Sequence, residues 1–275
     1  MPDSRTESCC SWRKGQFISS LFALAHLSIK ILTLQALFLP EASDYLSHSP
    51  AETVSLAVPL STSPFVLGLC ASAKLHKISI NVGIHEPGES KAKVKNTSIW
   101  IDASGEVVQR YQKLHLFDMD LKDGPSSRES DTFEEGKEIL RPFKTEVGRV
   151  GLLICFDLRY PEVGISLKRQ GAQIITYSSS FTVPTGRAHW ETLLRARAIE
   201  TQCYVIAAGQ AGQHNETRVT WGHSLIVSPW GEVLVDLGQK FKGPDIGVAE
   251  IDLGFVERIR RGVPLKRRTD VYPEL

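Results

Sequence analysis

Residues 147–154, VGRVGLLI, constrain this chain more than any other segment. The run is apolar except for Arg149, and it reads as a strand buried on both faces. Such a strand needs a helix or a second sheet over each side. The residues that follow agree with this. Pro161 and Glu162 suit the first turn of a helix, and Gly171 suits its C-terminal cap. Residues 173–177 and 203–208 are two more apolar strands. Between them, residues 187–200 read as a helix with Trp190, Leu193, Leu194 and Ala198 on one side. Glu191 precedes Arg195 by four positions, a favourable helical pair.

The rest of the chain supplies hairpins and covering helices. Residues 36–39 form a strand that Pro40 stops. Residues 64–77 read as a helix with Phe65, Leu69, Ala73 and His76 in one stripe, and residues 78–84 as a strand. Strands 96–102 and 106–111 flank the Ala103-Ser104-Gly105 turn, a hairpin signal. Strands 222–227 and 232–235 flank Pro229-Trp230-Gly231 in the same way. A late strand over 246–251 and a short helix over 256–261 close the pattern. Residues 116–136 are polar and read as a long loop, a kind of segment that is commonly functional. No repeat and no linker rich in Gly, Pro and Ser divides the chain. Buried strands followed by helices, alternating with hairpins, predict an α/β sandwich: mixed sheets with helices outside.

Composition removes several functions. The chain of 275 residues carries 32 Lys plus Arg against 31 Asp plus Glu. That balance argues against a nucleic-acid binder, whose footprint is a basic excess. The five cysteines form no CxxC pair, which excludes a zinc ribbon or redox dithiol, and their odd, scattered set fits a reducing compartment. His115, His189 and His223 are too dispersed for metal-site spacing and read as structural hydrogen-bonders. Trp190, Trp221 and Trp230 read as packing residues. Residues 1–35 differ from the rest. Arg13 and Lys14 precede an apolar run from Phe17, but His26 and Lys30 interrupt it, and a span needs about 20 apolar residues. A buried helix and strand are expected there, with no membrane anchor and no clear leader. The cytosol is the expected compartment, with the mitochondrion as the alternative.

Three residues stand where chemistry could occur. Cys155 ends the buried strand ahead of the Pro161 helix, and strand ends in α/β sheets are where ligands bind. It would face a crevice with the Phe156 N–H beside it; taken alone, such a thiol is more often a buried packing residue. Glu41 follows Phe38-Leu39-Pro40. Partial desolvation there is expected to raise its pKa and make it a better base. Lys113 follows another strand and could reach the same crevice, although a lone lysine is usually a surface residue.

Together these residues sit in recognisable surroundings. Phe38-Leu39-Pro40-Glu41-Ala42, Tyr111-Gln112-Lys113-Leu114-His115-Leu116-Phe117-Asp118 and Leu153-Ile154-Cys155-Phe156-Asp157-Leu158-Arg159-Tyr160-Pro161-Glu162 resemble the Glu, Lys and Cys motifs of the nitrilase superfamily, in that superfamily's order. The resemblance spans residues 36–272. It implies an α-β-β-α sandwich of two mixed sheets flanked by helices, and hydrolysis of a non-peptide C–N bond without metal or organic cofactor. By the same resemblance Glu41 is the base, Cys155 the nucleophile, and Lys113 with the Phe156 N–H the oxyanion donors. Glu129, in Arg128-Glu129-Ser130, matches a second glutamate that orients Lys113 and Glu41.

Residues 180–186, 189–191 and 195–205 resemble the Nit-type amidase branch. Residues 207–214 and 221–224 are most similar to the members that act on deaminated glutathione, giving 2-oxoglutarate and cysteinylglycine. A sibling activity on 2-oxoglutaramate or 2-oxosuccinamate is the alternative. Arg159 is expected to clamp a substrate carboxylate bidentately, or else to pair with Glu162 or Asp157. Thr185 matches a substrate-contacting threonine, or is a turn hydroxyl. The resemblance implies a homodimer acting on a small-molecule amide. Residues 1–35 lack the family's first strand with its Gln-containing motif and the helix after it, so the carbon–nitrogen hydrolase domain is expected over 36–275. That mismatch also leaves a second reading, a chain that acts only by binding.

Overall fold

The computed structural model describes residues 34–119, 127–239 and 245–273. The expected amino-terminal helix therefore lies outside the described residues. Two mixed sheets make the frame. The first holds β1 (Ala36–Phe38), β2 (Ser79–Pro87), β3 (Val94–Ile101) and β4 (Val107–Gln112) in that order, with β7 (Phe133–Glu134) added to β3; β5 (Asp118–Met119) and β6 (Ser127–Arg128) pair with each other between β4 and β7 in sequence. β1 runs parallel to β2, and β2, β3 and β4 are antiparallel neighbours.

The second sheet has the order β15-β14-β11-β10-β9-β8. Its strands are β8 (Phe143–Thr145), β9 (Gly148–Ile154), β10 (Ile174–Ser178), β11 (Tyr204–Ala207), β14 (Leu225–Val227) and β15 (Val233–Asp236). The three apolar segments read as doubly buried are its parallel centre, β9-β10-β11.

Alternation along β2 separates the layers. Ile80, Val82 and Ile84 pack outward with Ile99 and Ile101 against Val66, Leu69 and Ala73 of α2 (Pro64–His76). The intervening Asn81, Gly83 and His85 take the other face, because successive side chains in a strand point to opposite sides. Across the ladder they meet Trp100, Ser98 and Asn96. Trp100 and Tyr111 from this inner face join the core of the second sheet. Two helices of the second layer, α3 (Pro161–Arg169) and α4 (Val183–Thr201), bring Leu167, Trp190, Leu194 and Ala198 to that same core. Each such large side chain stabilises the fold by about 1.5–3 kcal/mol on burial. The architecture is the expected α-β-β-α sandwich of two mixed sheets.

Local chemistry explains the element ends. The Ser63 hydroxyl accepts from the Val66 N–H at 3.3 Å, capping α2 just before Pro64. α4 starts at Val183, a turn earlier than its apolar stripe suggests, because Pro184 suits a first turn and Gly186 meets Trp221. A Cβ at Gly186 would stand 2.1 Å from the Trp221 ring. That tryptophan belongs to a hairpin absent from the sequence reading, β12 (Ala211–Gln213) with β13 (Val219–Trp221). A short α-helix of about two turns, α1 (Pro50–Leu56), was likewise unmarked.

Two expectations fail. Residues 246–251 are not a strand. The segment presses Gly247 against the Val235 and Leu237 side chains, so it covers β15 through side-chain contact and joins no ladder. The last helix, α5 (Leu253–Gly262), begins after it. Trp230 is not a packing residue: it is 60% exposed at the tip of its turn. Trp190 is buried, and its indole N–H donates to the His223 carbonyl. No helix among the described residues is long and apolar enough to cross a membrane.

Candidate active site

Glu41, Lys113 and Cys155 come from three separate strand ends and meet between the sheets. Glu41 sits just past β1, where its backbone is clamped. Gly83 N–H donates to the Pro40 carbonyl at 3.0 Å, and a Cβ on Gly83 would lie 2.6 Å from the Glu41 Cα. The Gln210 side chain donates to the carbonyls of Glu41 and Ala42. Lys113 follows β4; its N–H donates to the Asn96 carbonyl, and its own carbonyl accepts from Gly136.

Cys155 ends β9 with a φ of 44°. A residue with a Cβ rarely adopts that left-handed conformation, and strain of this kind clusters at functional sites. Asp157, wholly buried, holds the turn. It accepts from Ile154 N–H at 3.0 Å, Tyr111 O–H at 2.7 Å, and both the backbone N–H and the Nδ1 of His115. The Asp157 carboxylate thus ties the cysteine turn to the segment carrying Lys113.

The side-chain tips converge. Lys113 Nζ donates to Glu41 Oε1 at 3.0 Å and to both Glu129 oxygens at 2.8 and 2.9 Å. The Cys155 thiol is buried close enough to feel both the Glu41 carboxylate and the Lys113 ammonium, and it lies beside the continuation of β10, where Ser178 pairs with Ile154. Glu129 opens a short 3-10 turn in the long loop and accepts from Phe117 N–H at 2.6 Å. Its link to Glu41 is indirect: Asn96 Nδ2 donates to Glu41 at 2.7 Å and to Glu129 at 3.3 Å.

Sequence reasoning missed Asn96 and the hub role of Asp157. Asn96 sits mid-strand, and nothing in its neighbourhood marks it before the register of β2 and β3 is known. Asp157 carried a signal, an acid two residues past a candidate nucleophile.

Charge in the cluster is set by burial and proximity. Burial pushes the Cys155 thiol well up, Glu41 adds to the rise, and Lys113 offsets only part of it. The resting proton therefore sits on sulfur. For Glu41 the expectation was a raised pKa, and the structure corrects it. Burial does push it up, but the Lys113 ammonium and hydrogen bonds from Lys113, Asn96 and Cys155 outweigh burial and hold it below its ordinary 4.5. Lys113 stands well above 10.5, because Glu129 and Glu41 overcome the burial that disfavours its charge.

These directions fix a pH window for stability. Glu41, depressed on folding, contributes stability above about 4.5 that is lost as pH falls through its lower folded value. Above about 9 the unfolded chain releases the Cys155 proton while the folded chain keeps it, so stability falls. The raised Lys113 contributes fully below 10.5 and is lost as pH rises through its still higher folded value. Urea midpoints against pH are expected to be flat between about 5 and 9 and to drop on both sides.

The remaining expected residues flank this cluster. Arg159 pairs with neither Glu162 nor Asp157. Its guanidinium lies 3.1 Å from His189 Nδ1, with its carbon 5.6 Å and 5.9 Å from the Phe156 and Phe181 ring centres. The Thr185 hydroxyl is 2.8 Å from that of Thr182 and donates to the Thr182 carbonyl, in the first turn of α4. Phe156 meets Phe117 edge-on, 5.2 Å between ring centres. His115 and His223 each engage a carboxylate, of Asp157 and Asp236.

A two-sheet sandwich with an acid, an ammonium and a thiol gathered at strand ends is the frame of a carbon–nitrogen hydrolase. A family model described as carbon-nitrogen hydrolase matches residues 11–261, and the chain belongs to that family. The probable hydrolase nit2 of Schizosaccharomyces pombe is 46% identical over 242 residues, covering 88% of each chain. The deaminated glutathione amidase of Mus musculus is 43% identical over 245 residues, covering 86% of this chain and 74% of that one. Among solved structures, the C. elegans NitFhit protein superposes with a TM-score of 0.82 at 37% identity; the match covers 94% of this chain and 63% of that longer one. Saccharomyces cerevisiae Nit3, a member of branch 10 of the nitrilase superfamily, gives 0.80 at 27% identity, over 93% of this chain and 90% of its own.

Proposed function

We propose that this chain is a cysteine-dependent amidase acting on amides of 2-oxo dicarboxylic acids, with deaminated glutathione as its substrate. One observation carries the mechanism: Lys113 lies 3.0 Å from Glu41, and the buried Cys155 thiol stands within the electrostatic reach of both. The substrate follows from the relatives named for that amidase and from the residues that resemble their branch.

The thiol of Cys155 attacks the amide carbon and passes its proton to Glu41. Because Glu41 is held low and the thiol high, this transfer runs uphill until the sulfur–carbon bond forms, so the proton moves with the attack. The oxyanion that develops is held by the Lys113 ammonium and the Phe156 N–H; donors of this kind are each worth about 3–4 kcal/mol of barrier. Collapse expels the amine, which takes the proton from Glu41 and leaves a thioester. Water then attacks the thioester, Glu41 accepts its proton, and the returning thiolate reclaims it as the acid departs. Glu129 holds Lys113 throughout. Arg159 takes the 2-oxo acid carboxylate, and the Thr185 hydroxyl contacts the substrate.

The test is kinetic. The purified chain, given deaminated glutathione and 2-oxoglutaramate in parallel, is expected to show the higher kcat/KM on deaminated glutathione. A preference for 2-oxoglutaramate would assign the sibling activity instead.

A further inference from the structure

Many surface arginines of this protein are matched by acids: Arg110 by Glu86, Arg195 by Glu191, Arg258 by Asp252 and Arg268 by Asp270. Arg218 is not; among the described residues no carboxylate lies within ion-pair distance of it. Its one side-chain hydrogen bond among those residues runs from a terminal nitrogen to the Ser180 hydroxyl at 3.0 Å. Ser180 follows β10, whose Ser178 pairs with Ile154, so it lies beside the turn that carries Cys155. Arg218 is therefore bonded to the segment that runs beside the cysteine turn.

The hairpin that carries it is fixed. Arg218 leads into β13, where Trp221 N–H donates to the Phe181 carbonyl and Thr220 bridges to Thr182. The other end of the loop closes through His214 N–H to the Arg218 carbonyl at 2.9 Å. The guanidinium is thus held on the hairpin side of residues 180–182, the segment beside the cysteine turn. Arg159 is four residues past Cys155 and reaches the site from the helix side, likewise without an acid partner. An exposed cation, Arg218, and a half-buried one, Arg159, lie on the two segments next to one buried thiol.

We propose that Arg218 is a specificity residue that recognises a carboxylate on the amine portion of the substrate. This rests on the amidase reading above and narrows it. The preferred substrate has an anion at each end, with the scissile amide between them. Arg159 holds the carboxylate of the acyl portion, and Arg218 holds the carboxylate at the far end of the leaving amine. A guanidinium suits this task because its planar fork matches a carboxylate bidentately. Its bond to Ser180 leaves further N–H donors for that purpose. A primary amide such as 2-oxoglutaramate has no second anion and gains nothing from Arg218.

Three compounds test this: deaminated glutathione, its carboxamide in which the terminal carboxylate is neutral, and 2-oxoglutaramate. The wild-type chain is expected to favour the free acid over the carboxamide about tenfold in kcat/KM, the ratio that 1.4 kcal/mol supplies. Arg218→Met is expected to bring that ratio close to one, and Arg218→Lys to keep part of it. A ratio that Arg218→Met leaves unchanged overturns the inference while the amidase reading stands. Failure of the wild-type chain to turn over any of the three overturns that reading and the inference with it.

Discussion

Replacing Cys155 with Ala is expected to abolish turnover of every amide substrate and leave the fold standing. Loss of a covalent nucleophile costs on the order of 10⁴-fold or more in kcat, because the rest of the site can only assist water. Stability should change by about 1 kcal/mol, the cost of deleting one methyl-sized buried group. Alanine can replace cysteine at the φ of 44° without a new kind of strain, since both carry a single Cβ. The check pairs a turnover assay with a urea titration. Retained turnover in a folded variant would remove the thiol from the mechanism.

Lys113→Met carries the second large effect, on stability and on rate together. The ammonium lies within 3.0 Å of three carboxylate oxygens and is almost wholly buried. Removing one partner of a buried ion cluster costs about 3–5 kcal/mol, since the charges left behind stay desolvated. Loss of an oxyanion donor lowers kcat by about 10²–10³-fold in addition. The pH response separates this from a generic packing defect. In the wild type Glu41 is held low, so stability declines as pH falls below about 4.5. In Lys113→Met, Glu41 remains desolvated without its cation and its pKa rises. The folded variant then binds more protons than the unfolded chain, so its stability rises as pH falls towards 5. The urea midpoint of Lys113→Met should be higher at pH 5 than at pH 7, whereas a simple cavity effect, being pH-independent, would leave the two equal.

Much of this molecule was legible before its fold. The strand-Cys-helix signal at 147–161 set the class, and Glu41, Lys113 and Cys155 each follow a segment that reads as a strand. Their meeting depends on three strand ends opening into one crevice, which the motifs imply and local pattern does not. What escaped was long-range. Asn96 bridges two glutamates only because β3 pairs with β2 in one register, placing it opposite His85. The Glu41 pKa was misjudged because desolvation can be guessed from an apolar strand, whereas the opposing cation and amide donors arrive from residues far along the chain. Residues 246–251 have strand composition but meet side chains where a ladder partner would be needed. Trp230 shows the converse, a large aromatic that turn geometry turns outward.

The most direct measurement of the central claim is intact-protein mass spectrometry on the chain quenched in acid during turnover of deaminated glutathione, followed by peptide mapping. A 2-oxoglutaryl adduct is expected on the peptide bearing Cys155, appearing with substrate and disappearing on its exhaustion. Steady turnover with that peptide unmodified at every quench time, or the adduct on another residue, would contradict the account.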